Sequence, residues 1–268
     1  MRIIHCLALV GLLACGPGRS SFARFPGTQA TFERGSQDTK ALDIADKAIA
    51  AAGGADRWKA AKQLRWKQVV TNDGKQVLAG EQAWDRWNGR HHARARREEG
   101  DVVVMRPLYE NGGSAYLDTG EKLKKMEGGT VESLALAQER WEFDTAALFM
   151  PFLMEEPGTK LAYEGEAPGD DGKPRDVIKV TFDPKDKTRT SIYRVAINRD
   201  THMIDRIEIQ KPGKGENERL GYGVSDYKDG GGIKYPSKLQ NLGLKGEVLT
   251  FSDLTISEPD ENLFVPPL

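Results

Sequence analysis

The chain predicts an α+β protein that is mainly β, built on one large antiparallel sheet that curls into a half-barrel with helices packed on its concave face. Three observations predict it. From residue 64 onward, short runs of period two recur at regular spacing, separated by Gly, Asn, Asp and Pro turn signals. One helical stretch at about 130–155 interrupts them. Glycine stands at 29 of 268 residues, enough to serve the many tight turns such a meander needs. About a dozen short strands form a sheet wide enough to curl, and the helices complete a single core.

Composition removes several function classes. Lys and Arg number 39 against 40 Asp and Glu, a balance that lacks the basic footprint of a general nucleic-acid binder. Apolar residues at 38% with 29% charged exclude a multi-span membrane protein and a chain disordered throughout. The two cysteines are Cys6 and Cys15, so the body holds neither a disulfide framework nor a cysteine metal site.

Residues 1–14 read as a signal peptide. Arg2 is its positive start, and Ile3 to Ala14 is an apolar run shorter than the roughly 20 residues a membrane span requires. It ends in Leu12-Leu13-Ala14-Cys15, followed by Gly16-Pro17-Gly18, which resembles a bacterial lipobox with Cys15 as the lipidation site. The alternative is an ordinary secretory signal cut a few residues later. The resemblance implies an outer-membrane lipoprotein facing the periplasm, because Gly16 rather than Asp follows the cysteine; the alternative location is secreted or periplasmic. Residues 15–39 are rich in Gly, Ser, Pro and Thr and read as a flexible tether, leaving 40–268 as the domain.

The domain begins with Asp38 or Thr39 as a helix cap, then Leu42, Ala45, Ile49 and Ala52 at helical spacing, stopped by Gly53-Gly54. A short turn of helix follows near Asp56 to Lys62. Leu64, Trp66, Gln68 and Val70 then alternate with polar residues, and Asn72-Asp73-Gly74 turns the chain. Runs at 77–87, 90–98 and 102–109 continue the meander, with Asn88-Gly89 as a hairpin signal. Val131, Leu134, Gln138 and Trp141 lie on one helical stripe, and Asp144 is a candidate cap for a second helix. Strands resume at 160–167, 175–182, 188–198, 203–210, 218–227, 233–242 and 247–257.

This order is similar to that of the LolA/LolB-like lipoprotein-carrier half-barrels. The similarity runs over about 41–268. It rests on the Ala-rich helix with Gly53-Gly54 and Trp58, on Asp176 to Phe182, Tyr193 to Asn198, Thr201-His202-Met203-Ile204 and Ile233-Lys234-Tyr235-Pro236, and on the closing Asn262 to Pro267. These features also look like an uncharacterised, secreted or lipidated branch of that superfamily. The resemblance implies a concave cavity for the acyl chains of a lipid or lipoprotein, with a second envelope protein as the alternative partner. It carries over no catalytic residue and no cofactor.

The most apolar run of the mature chain is Ala146 to Met154. Leu148, Phe149, Met150, Phe152 and Leu153 are therefore candidate ligand-binding residues, forming a plug or lid hinged at Pro151; the alternative is an ordinary core helix. Trp66 and Trp84, on the apolar register of early strands, are candidates for the cavity wall or for core packing. Arg86, Arg90, His91, His92, Arg94, Arg96 and Arg97 form the most basic stretch and read as a solvated outer face, since alternate strand residues point to opposite faces. His91-His92 does not read as a metal site, because adjacent strand side chains diverge. Gly223 to Tyr227 lacks the last glycine of a nucleophile elbow, and the glycine clusters at 112–113 and 230–232 sit in hairpins rather than before helices. The reading is a binding protein without cofactor, metal or catalytic residues.

Overall fold

The computed structural model describes residues 32–184 and 188–265. The signal segment, Cys15 and the closing Pro266-Pro267 fall outside the described residues. Residues 32–38, inside the stretch read as a tether, hold a 3-10 turn at Arg34–Ser36. Arg34 pairs there with Asp46 at 2.7 Å and with Glu155.

Helix α1 (Thr39–Ala51) starts at Asp38, whose carboxylate accepts from the Lys40 and Ala41 amides at 2.9 and 3.0 Å. Its buried stripe is Ala41, Ile44, Ala45, Ala48 and Ile49, so small residues let it lie close to the sheet. Gly53 ends it at φ +124, and a Cβ there would meet the Gly232 carbonyl oxygen at 2.2 Å. Only glycine fits where the helix exit touches that turn. The short α2 (Ala55–Ala60) follows and buries Trp58.

The first meander comprises β1 (Gln63–Asn72), β2 (Lys75–Asp85), β3 (Arg90–Arg97), β4 (Gly100–Pro107), β5 (Ser114–Asp118) and β6 (Leu123–Lys125). The long helix α3 (Thr130–Leu153) comes next. The second meander comprises β7 (Thr159–Pro168), β8 (Pro174–Phe182), β9 (Ile192–Asn198), β10 (Ile204–Gln210), β11 (Leu220–Gly230), β12 (Ile233–Asn241) and β13 (Glu247–Ser257). Every pairing is antiparallel, and β1 pairs with β13 from Gln63↔Ser257 to Asn72↔Glu247. The two meanders thus join into one open sheet in the order β6-β5-β4-β3-β2-β1-β13-β12-β11-β10-β9-β8-β7.

That order sets the shape. The edges, β6 and β7, are neighbours in sequence, so α3 must carry the chain from one edge to the other. Twelve inter-strand steps of about 4.8 Å would hold the edges of a flat sheet roughly 58 Å apart. The 24-residue helix covers about 36 Å of that, and the loops at 126–129 and 154–158 supply the rest. The sheet curls so that α3, which is buried throughout Asp144 to Leu153, packs on its concave face. The edges themselves are blunted: β6 is three residues long and ends in Lys124-Lys125, and β7 carries a register shift between Tyr163 and Gly165 and ends at Pro168. Strands β5 and β6 were not foreseen, because five- and three-residue strands between turn signals leave too few alternations to show a period.

The C-terminal half of α3 packs at the bottom of the curl. Trp58 stacks on Phe152 at 4.8 Å, Trp66 meets Phe149 edge-on at 5.9 Å, and Trp84 meets Trp141 edge-on at 5.4 Å. Such aromatic pairs add about 0.5–1.5 kcal/mol each beyond the area they bury. The helix bends at Phe149 (φ -126, ψ 15), two residues before Pro151, whose ring cannot accommodate the carbonyl of the preceding turn. No second helix begins at Asp144; that residue lies within α3 and its side chain is fully buried.

The basic stretch is not a solvated face either. Arg86 and His91 are buried at 3% and 0% exposure. Arg86 donates to the Trp58 and Ala61 carbonyls at 2.6 Å and lies 3.8 Å from the centre of the Trp58 ring. Arg90 is tied to Asp85 and Glu261, and Arg94 to Asp101 and Asp118. Alternation was read correctly, but one of the two faces it serves is the interior. Burial holds the Arg86 guanidinium down to about 10.

Phe149→Ala removes the ring on which Trp58, Trp66 and Trp84 all rest, and should cost about 3–5 kcal/mol in chemical denaturation. A loss under 1 kcal/mol would mean that this cluster does not hold the half-barrel together.

Candidate functional site

The N-terminal half of α3 does not fill the space beneath it. A cavity of about 780 Å3 lies between its residues 133–143, strands β1 to β4 on one side, and β9, β10, β11 and β13 on the other. Small side chains line it, among them Ala93 and Ala95 on β3 and Ala135 and Ala137 on α3. Larger apolar groups wall it, among them Val70, Leu78, Val104, Phe143, Ile209, Tyr222 and Leu249. The mouth carries Leu136 and Leu220, exposed at 55% and 40%, with Arg97, Glu139 and Lys211 around them.

Polar side chains are also buried in the lining. Gln68, Gln82 and Glu142 are 5%, 3% and 8% exposed. Glu142 is fully engaged, accepting from the Thr190 and Ser191 amides at 2.8 Å and from the Thr190 hydroxyl at 3.3 Å. Asp144, just beneath, accepts from Trp66 Nε1 at 3.1 Å and from Gln82 Nε2, and pairs with Arg140 at 2.9 Å. Arg140 Nε also donates to Gln68 Oε1 at 2.6 Å.

The donors and acceptors fix a direction along a chain of four side chains. Arg106 Nε donates to His91 Nδ1 at 3.1 Å, so Nδ1 carries no proton. His91 Nε2 therefore donates to Gln82 Oε1 at 2.8 Å, which turns the Gln82 amide nitrogen toward Asp144. The relay works only with a neutral imidazole. Burial, reinforced by Arg106, holds His91 well below its ordinary value. Burial outweighs Arg140 at Asp144 and pushes that carboxyl up to about 6.

The structure seats Leu148, Phe149, Met150, Phe152, Leu153, Trp66 and Trp84 in the packed core, each at most 2% exposed, and none lines the cavity. Trp66 reaches the site only through its indole N–H to Asp144. The side chains that do gather there are Gln68, Gln82, Arg140 and Glu142. A signal for them was present: Gln68 follows Trp66 on the apolar register of β1, and Gln82 precedes Trp84 on that of β2. A glutamine on a buried register needs a partner. His91 and His92 diverge as read: His91 faces Trp141 and His92 faces Phe264. Among the described residues no group of three or more His, Cys, Asp or Glu is placed to hold a metal.

No family model and no curated protein matches the chain. Among solved structures it is similar to a DUF1329 family protein from Desulfovibrio piger, at 13% identity and a TM-score of 0.48 over 84% of this chain and 97% of that one. It is similar to a LolA superfamily protein from Nitrosomonas europaea, at 11% identity and a TM-score of 0.49 over 84% and 97%. A weaker likeness is to the Pseudomonas aeruginosa MucA/MucB complex, at 14% identity and a TM-score of 0.26 over 85% of this chain and 62% of that one. The half-barrel architecture stands on the strand pairing.

The buried imidazole makes a pH prediction. A histidine held below 6.5 in the fold contributes stability that is present above pH 6.5 and lost as pH falls below it, by about 1.4 kcal/mol per unit. His91→Gln keeps a donor and an acceptor but cannot charge. Any deficit of the variant at pH 7 should shrink by about 2 kcal/mol at pH 5, as measured by urea denaturation. Parallel stability profiles would show that His91 is not held neutral.

Proposed function

We propose that the chain is an envelope binding module whose cavity holds the apolar part of a lipid or of an acylated ligand. The observation that carries this reading is the cavity of about 780 Å3, walled mainly by aliphatic and aromatic side chains and open between Leu136 and Leu220. Its size falls within the roughly 300–1,000 Å3 of small-molecule sites. Each methylene taken from water contributes about 0.8 kcal/mol. Association costs about 4–15 kcal/mol, so chains of roughly ten carbons and longer are the ones this site rewards.

In this reading Leu148, Phe149, Met150, Phe152, Leu153, Trp66 and Trp84 are the packed wall that keeps the cavity open from below; the ligand touches the first half of α3 and the strands facing it. Cys15 carries the lipid that anchors the module to the outer membrane on its periplasmic side, as the sequence of residues 12–18 supports. The module binds and does not convert its ligand: both ring nitrogens of His91, the histidine nearest the cavity floor, are committed to Gln82 and Arg106. Docking of another envelope protein is the second reading. The solid core formed by 146–154 favours it, since that run needs no ligand to be buried.

Solvent extraction of the purified protein followed by mass spectrometry should recover a lipid, and a fluorescent dodecyl probe should compete for the same site. Ala95→Trp puts an indole into the open part of the cavity and should weaken probe binding about tenfold or more, with the far-ultraviolet circular dichroism unchanged. No extracted lipid, together with no probe uptake by the parent protein, would overturn the ligand reading in favour of the docking one.

A further inference from the structure

This inference rests on the cavity reading above and specifies the ligand. The cavity is apolar along its walls and charged at its floor, and the charge there is not symmetric. Asp144 is buried: Trp66 Nε1 and Gln82 Nε2 donate to its Oδ2, and Arg140 forms an ion pair with its Oδ1. Glu142 is saturated by Thr190 and Ser191. Arg140 is different. Its Nε is shared between Gln68 and Asp144, neither terminal nitrogen makes a hydrogen bond among the described residues, and, although Nη2 is shielded, 24% of the side chain remains accessible where it lines the cavity. A guanidinium offers five N–H donors, and an unmade hydrogen bond on a buried one is costly.

We propose that Arg140 receives the anionic head of a single-chain amphiphile, which enters head-first and leaves its alkyl chain against the aliphatic walls. The fork of a guanidinium matches the oxygens of a carboxylate, sulfonate or phosphate. A neutral alcohol would leave the guanidinium charge unmatched, and a cationic head would face like charge. The other acids of the lining do not occupy that role: Glu139 is engaged at the mouth by Lys211, Glu247 accepts from Asn241, and Glu81 stands opposite Arg94 on the paired strand. The mouth arginine Arg94 is already tied to Asp101 and Asp118.

Calorimetric titration of the full chain with decanesulfonate, decanol and decyltrimethylammonium, each below its micelle concentration, tests this. A sulfonate stays ionised throughout the working range, so its own titration does not intrude. Decanesulfonate should bind about tenfold or more tightly than decanol, and the ammonium should bind weakest. Arg140→Gln should erase the preference and leave decanol affinity within about twofold. Arg140→Lys should keep part of it. Because Arg140→Gln strips Asp144 of its charge partner, the double variant Arg140→Gln/Asp144→Asn supplies the same measurement with no buried charge left behind.

Three results would overturn the assignment while leaving the cavity reading intact: equal affinity for sulfonate and alcohol, an equal loss of both in the variants, or loss of the preference in Arg97→Gln, which would put the head at the mouth. Methanesulfonate binding as tightly as decanesulfonate would also overturn it, by showing a free-anion site that needs no chain. Failure of all three ten-carbon probes to bind would overturn both readings together.

Discussion

One connection organises the whole molecule: the two edge strands of a thirteen-stranded sheet are joined through a single long helix that must bury its apolar second half against that sheet. Because β1 and β13 pair in the middle, each meander grows outward from the centre and leaves its free edge far from the other. α3 must close that gap. The sheet bends to let it, and the bend produces a concave face for the helix to occupy. Curl, core and cavity are consequences of one strand order.

α3 then does two different things along its length. From Asp144 to Leu153 every residue is buried, and the aromatic rings of α2, β1 and β2 close on it. From Thr130 to Phe143 only Ala137, Trp141 and Glu142 are buried, and the residues of this half that line the cavity include Ala135, Ala137, Gln138 and Arg140. Interiors are close-packed wherever side chains can reach. Here small and polar side chains leave a cavity. Asp144 stands at the boundary between the two halves, and the relay from Arg106 through His91 and Gln82 to its carboxylate links strands β2, β3 and β4 to the helix.

That boundary is also where the electrostatic cost is concentrated. A buried carboxylate pushed up to about 6 and an imidazole held well below 6.5 pull the stability in opposite directions as pH falls. The fold tolerates both because each is satisfied by neighbours rather than by water, and because Arg140 and Arg106 bring positive charge to either end of the chain. Removing one member leaves the next without its partner, so the members act as a unit.

The half-barrel class, the helix behind Asp38, the turn at Gly53-Gly54, the long helix and eleven of the strands were legible in the sequence, since period, caps and turn residues are local properties of neighbouring positions. The apolar character of Ala146 to Met154 was legible too, but not whether that run faces a ligand or its own protein; hydrophobicity reports burial and is silent on what does the burying. The burial of Arg86 and His91, the union of Gln68, Gln82, Arg140 and Asp144, and the place of the cavity were decided by tertiary structure alone. They depend on which strands meet across a curled sheet and on where opposing side chains are too small to touch, and those are distances between residues from about 14 to 180 positions apart, beyond the reach of any local pattern.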